Sequence, residues 1–118
     1  MDQPDNGQRV LQPRSWARPR GYANGIAVAG ETIFLAGQVG WDAHGRFPNG
    51  LSDQVGQALA NIATLLAEAG AAPRHLVRLT WYVTDVAAYR ANLAAIGVAQ
   101  LVEPEALVEI EATAVLPR

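Results

Sequence analysis

Two carboxylates, Glu109 and Glu111, interrupt an otherwise apolar run near the end of the chain, Ala106 to Val115 (ALVEIEATAV). Successive side chains of an extended strand point to opposite faces, so Val108, Ile110, Ala112 and Ala114 share one face and Glu109, Glu111 and Thr113 the other. The first set is core. A carboxylate on a strand flanked by apolar residues suits the wall of a polar cleft, where it can take a proton or orient a water; a solvated strand face is the plainer alternative for either residue alone.

Composition limits what else can react. The chain has 118 residues, no Cys and no Lys, and its nine basic residues are all Arg. Thiol nucleophiles, disulfides, thiolate metal sites and Schiff-base lysines are excluded. Two serines (Ser15, Ser52) and two histidines (His44, His75) lie in a leader, beside a helix start, in a turn and in a connection, which disfavours a Ser/His/Asp triad or a multi-histidine zinc site. Asp42 and His44 form a two-ligand pair without a third, too few to hold a metal, and no metal site is expected. Carboxylate, tyrosine, backbone and water remain.

The formal net charge of -2 disfavours nucleic acid as the main partner, because phosphate binding needs clustered positive charge. Arg9, Arg14, Arg18 and Arg20 gather in the leader and read as a solvated arm. No apolar run approaches the roughly 20 residues that cross a bilayer, and the first residues lack a signal-type apolar segment, so no membrane partner and a cytoplasmic location are expected.

These residues need a scaffold to position them. Residues 1–20, with Pro4, Pro13 and Pro19 among polar neighbours, are expected to be an extended or disordered leader, with a single domain over 21–118. Ile26 and Val28, a turn at Gly30-Glu31 and Thr32 to Val39 (TIFLAGQV) predict a β-hairpin. Ser52 is the expected N-cap of a helix with apolar Val55, Leu59, Ile62 and Leu66 on one stripe, ended by Gly70. Val77 to Val83 predicts a strand with Val77, Leu79, Trp81 and Val83 inward and Arg78, Thr80 and Tyr82 outward. Thr84-Asp85 caps a second helix whose stripe is Tyr89, Leu93 and Ile96. The order β-β-α-β-α-β-β, in which the strand before the last is short, gives an α+β two-layer sandwich with both helices on one face of a single sheet. The other face, bearing Arg78, Tyr82, Glu109 and Glu111, is expected to pack against copies of itself in a closed homo-oligomer with clefts between subunits.

The ordered set Gly21-Tyr22-Ala23-Asn24-Gly25, Phe34-Leu35-Ala36-Gly37-Gln38-Val39, the helix with Gln57 and Asn61 ending at Gly70, Thr84-Asp85 and Val108-Glu109-Ile110-Glu111-Ala112 resembles the RidA/YjgF family over about Tyr22 to Val115. The resemblance implies a chorismate-mutase-like fold, a homotrimer with sites at subunit interfaces, and hydrolysis of reactive enamines and imines to 2-oxo acids and ammonia without a metal or organic cofactor. It places Glu111 as the residue that positions or activates the water and Tyr22 as a cleft tyrosine donating a phenolic hydrogen bond, both catalytic. Gly37, Gln38 and Asn92 are placed as substrate-binding, the first two through backbone groups. A carboxylate in bulk water is a weak base near neutrality, so Glu111 needs partial exclusion of water or suitable hydrogen bonds.

Two departures accompany the resemblance. Ala36 stands where the family usually has Ser. The family also opens a strand with a Pro-Ala-Arg type sequence whose guanidinium grips the substrate carboxylate, whereas here Ala94-Ala95-Ile96-Gly97 passes directly to Val98-Ala99-Gln100-Leu101 and no Arg lies between Arg90 and Arg118. A true deletion would strip a sheet strand and leave backbone donors unpaired, so residues are expected to be absent between Gly97 and Val98, with a Cα separation beyond that of one peptide. The alternative to an enamine/imine hydrolase is a catalytically impaired trimeric small-ligand-binding or regulatory protein of the same family. RNA cleavage, also attached to the family, is disfavoured by the acidic balance.

Overall fold

The structure, a computed structural model, describes residues 6–85, 87, 96–97, 103 and 105–118. Its elements are β1 (Arg9–Leu11), β2 (Gly25–Ala27), β3 (Gly30–Val39), α1 (Leu51–Glu68), β4 (Leu76–Val83), β5 (Ile96–Gly97) and β6 (Val108–Pro117), with a short 3-10 turn, Pro73–His75, before β4. The main sheet has the order β3-β6-β4-β5, antiparallel except for the β4–β5 pair. This is the expected α+β sandwich, with α1 packed on one face.

The alternation in β6 sets the sheet's two faces. Val108, Ile110, Ala112 and Ala114 are buried, and with Ala58, Ile62, Leu66, Ala71 and Val83 they make the main core. Leu79 and Trp81 of β4 and Ile33 and Leu35 of β3 pack against it. The helix meets this surface with Gln54, Ala58, Ile62 and Leu66, a stripe spaced strictly by four. Ile62 and Leu66 lie where expected and Val55, partly buried, packs against the core, whereas Leu59 is 37% exposed and Gln54 and Ala58 complete the stripe. The cause is Gln54. Its amide nitrogen donates to the Pro48 and Glu105 carbonyls and its oxygen accepts from the Leu107 N–H, so a polar side chain occupies a core position because every group is paired.

The helix also starts earlier than expected. Gly50, not Ser52, is the N-cap, with φ 85 and no side-chain cap. The loop enters the helix through a positive-φ conformation that glycine alone adopts cheaply, which leaves Ser52 inside the first turn. Gly70, at φ 75, ends the helix as expected: the Gly70 N–H bonds the Ala67 carbonyl and the Ala71 N–H the Leu66 carbonyl.

Three other expectations change. The anticipated hairpin between Ile26/Val28 and β3 is not formed; β2 pairs antiparallel with β1, so the leader supplies an ordered strand at Arg9–Leu11. Leu76 rather than Val77 joins the core, because a bulge between Leu76 and Arg78 inserts an extra residue into β4. Ile96, assigned above to a helical stripe, lies in β5, parallel to β4. The rest of the second helix, Asn92, and the Gly97–Val98 junction lie outside the described residues.

The core reading predicts a contrast in stability. Ile110→Ala should cost about 2–5 kcal/mol in urea unfolding, whereas Leu59→Ala should cost less than about 1 kcal/mol. Equal losses would mean that the helix presents a different face to the sheet.

Candidate functional site

On the face away from α1, cross-strand pairing arranges side chains in rows. Phe34, Thr113 and Arg78 form one row, and Val39, Glu109 and Tyr82 another. Between them Glu111 pairs with Thr80 on β4, and on β3 it meets a bulge: Leu35 pairs with Ala112 and Gln38 with Ile110, so Ala36 and Gly37 together oppose Glu111. Bulges thus lie on both sides of the Glu111–Thr113 segment. Such irregularities re-aim side chains and recur beside active sites.

The β3 bulge reassigns its neighbours. Gln38 is registered with core-facing Ile110, on the opposite face from Glu111, and its side-chain amide donates to the Ala36 carbonyl. Val39 instead joins Glu109 and Tyr82, packing with Ala106, Phe47 and Tyr82 in a small second cluster. Gly37 lies directly under Glu109. A Cβ at position 37 would sit 2.5 Å from the Glu109 Cδ, so the missing side chain makes room for that carboxylate.

Of the residues proposed from the sequence, Glu111 and the Gly37 backbone are therefore neighbours across the β3–β6 pair, whereas the Gln38 side chain turns away. Glu111 is exposed in the single chain and Glu109 half-buried. Tyr22, 67% exposed, lines a cavity of about 890 Å³ together with Arg20, Arg78, Phe34 and Thr113; Glu111 is not among its lining residues. The cavity nevertheless abuts it, because Thr113 and Arg78 occupy the adjacent row. Arg78 is the lining residue that spacing along the sequence could not single out, since its relation to Glu111 is diagonal across two strands.

Around the site the loops are fixed by side-chain amides. The Asn61 amide nitrogen donates to the Val39 and Trp41 carbonyls, and its oxygen accepts from Gln57. A Cβ on Gly40 would come within 2.5 Å of the Gln54 carbonyl oxygen, so β3 leaves the sheet pressed against the helix backbone. In the next turn, Asp42 accepts from the His44 and Arg46 N–H groups, which lowers its pKa below the ordinary 3.8; the Arg46 bond is the larger cause. That carboxylate oxygen serves the turn. Among the described residues no group of three or more His, Cys, Asp or Glu is placed to hold a metal.

A mostly antiparallel sheet with a helical layer on one face and a polar, bulge-bracketed surface on the other defines the two-layer chorismate-mutase-like class. The model of the family described as Endoribonuclease L-PSP matches residues 15–96, and the chain belongs to that family, the RidA/YjgF group. It is 31% identical over 70 residues to a RutC family protein of Aquifex aeolicus, a match covering 58% of this chain and 55% of that one, little over half the relative's length. The crystal structure of YyfB, a Rid-family protein of unknown function from Yersinia pestis, superposes with a TM-score of 0.78 at 35% identity, covering 93% of this chain and 99% of that one. A Mycobacterium tuberculosis member of the YjgF/YER057c/UK114 family superposes with a TM-score of 0.61 at 28% identity, over 80% and 86% of the two chains.

Two measurements check this geometry. Gly37→Ala should lower stability by about 1 kcal/mol by displacing Glu109, and the loss should vanish in a Glu109→Ala background; equal losses in both backgrounds would place the clash elsewhere. For Asp42, a depressed folded-state pKa means a contribution present above the unfolded value of 3.8 and lost as pH falls through the folded one. Asp42→Ala should accordingly flatten the acid limb of the stability profile in that window and leave its neutral-pH slope unchanged.

Proposed function

We propose that the chain hydrolyses reactive enamines or imines to 2-oxo acids and ammonia, with Glu111 as the catalytic carboxylate and Tyr22 as a hydrogen-bond donor in the same cleft. The observation that carries this reading is the placement of Glu111. It projects from the central strand onto the polar face, opposite the Ala36–Gly37 bulge and one row from the Tyr22 cavity.

The chemistry asks little of the protein. An enamine takes a proton at its β-carbon and becomes an iminium cation, the protonated form of the imine, whose carbon is electrophilic. Water adds to that carbon while Glu111 accepts a water proton, giving a carbinolamine. Returning the proton to nitrogen lets the C–N bond break and ammonia leave while the hydroxyl gives up its proton and the C=O forms, the departing ammonia carrying that proton away as ammonium, so one carboxylate acts as base and then as acid. Backbone groups at Gly37 and Gln38, the Tyr22 hydroxyl and Asn92 complete the proposed contacts, with no metal or cofactor required.

Water exclusion is the remaining requirement. Glu111 and Tyr22 are exposed in the single chain, so the reading includes a homotrimer in which neighbouring copies wall the cleft. It also includes a cytoplasmic location; among the described residues no helix is long and apolar enough to cross a membrane. The net charge of -2 argues against RNA as the substrate despite the family's descriptive name.

A second reading, ligand binding without turnover, is favoured by Ala36 and by the lack of any Arg between Arg90 and Arg118. One experiment separates the two. Imino acids released by an L-amino-acid oxidase should be converted to 2-oxo acids faster with the protein than without it, and Glu111→Gln should reduce that acceleration by about 10²-fold or more. No acceleration by the wild type would remove the hydrolase reading and leave binding, and equal acceleration by wild type and Glu111→Gln would remove Glu111 as the catalytic carboxylate.

A further inference from the structure

The cavity beside Glu111 has a charge pattern that the chain as a whole does not share. The protein carries eleven acidic residues against nine basic ones, yet the lining includes two arginines, Arg20 and Arg78, and no Asp or Glu. Among the described residues no carboxylate neutralises the Arg78 guanidinium, which is exposed on the sheet face. Around these cations stand the Tyr22 and Thr113 hydroxyls and an apolar wall that includes Ile26 and Phe34. Phe34 is 79% exposed, a state that costs free energy unless something apolar covers the ring. The volume of about 890 Å³ falls in the range of small-molecule sites.

Arg78 is also correctly placed relative to the proposed catalytic group. Glu111 pairs with Thr80, and Arg78 lies two residues earlier on the same face of β4, which makes it a diagonal neighbour of Glu111. Diagonal neighbours in an antiparallel pair are separated by about 7–8 Å, enough for a small molecule to touch both side chains without the two pairing directly. The extra residue in β4 just before Arg78 belongs to the bulge that re-aims this part of the strand.

We propose that this cavity binds small monocarboxylates with an apolar side chain, Arg78 gripping the carboxylate as a two-pronged donor and Ile26 and Phe34 receiving the side chain. This deepens the hydrolase reading by naming the residue that anchors its substrate, and it rests on that reading only for turnover. Arg78 is then a substrate-binding residue that supplies, from a strand next to Glu111, the cation missing between Arg90 and Arg118. A planar guanidinium suits this task better than a point charge, because it matches both carboxylate oxygens.

The test is isothermal calorimetry of the full chain with 4-methyl-2-oxopentanoate, a product-like probe, and with 4-methyl-2-pentanone, which keeps the apolar part and lacks the carboxylate. Arg78→Gln should weaken the oxo acid by about tenfold or more, leave the ketone unchanged and preserve the melting temperature. Arg78→Lys should recover part of the loss. Glu111→Gln should retain binding. Equal affinity of wild type and Arg78→Gln for the oxo acid would overturn the proposal. So would a drop in oligomer mass in native mass spectrometry of Arg78→Gln, since that would show the guanidinium already paired with a second copy. Loss of binding in Arg78→Gln from a wild type that shows no turnover would support the anchor and remove only the hydrolase reading. Turnover that depends on Glu111 but not on Arg78 would do the reverse.

Discussion

The pairing of β6 between β3 and β4 is the constraint on which the rest of the molecule depends. A strand with core residues on one face and carboxylates on the other has only one acceptable register in this position. A slip of one residue would bring Glu109 and Glu111 under α1 and expose Val108, Ile110, Ala112 and Ala114. Each carboxylate so buried without a partner would cost several kcal/mol, and the lost apolar burial would add to that. The orientation of the carboxylates is therefore inherited from the core. A hydrophobic requirement, not a catalytic one, points Glu111 away from the helix.

Given that register, irregularities shape the site. A regular β3 would place residues 33, 35, 37 and 39 on the core face. The extra residue at Ala36–Gly37 hands that role to Gln38 and turns Val39 toward Glu109 and Tyr82. It also leaves a glycine under the Glu109 carboxylate. The bulge in β4 does the equivalent at the other side, replacing Val77 by Leu76 in the core and setting Arg78 beside Thr113. Side-chain amides of α1 fix the neighbouring chain: Asn61 clamps the end of β3 and Gln54 the approach to β6.

Much of this was legible in the sequence, and what was not has a common cause. The alternation of β6 and β4, the helix over the sheet, its end at Gly70 and the two-layer class all follow from periodicity and glycine chemistry, which are local. The β1–β2 pairing, the two bulges and the buried Gln54 are non-local. Gln54 reads as a surface residue until the Pro48, Glu105 and Leu107 backbone groups arrive from loops distant in sequence. The candidate site divides the same way. Glu109 and Glu111 stand out along the strand, and Tyr22 and Gly37 through family resemblance, but Arg78 becomes a neighbour of Glu111 only once β4 and β6 are paired.

On the proposed reading, the exposure of Glu111 in the single chain and the apolar residues around it are two sides of one requirement. A carboxylate that must take and return a proton near neutrality works poorly in bulk water, and a face carrying exposed Phe34 and Tyr22 is poorly matched to bulk water as well. Covering the face would satisfy both, stabilising the rings by burial while lowering the water content around the carboxylate. The cover need not supply a reactive group, because an imine carbon is electrophilic without assistance. It needs only to leave room for a small anion between Arg78 and Glu111. On that reading the cover would be a neighbouring copy: a closed ring would repeat the same cavity at every seam, and each seam would cover Phe34 and Tyr22.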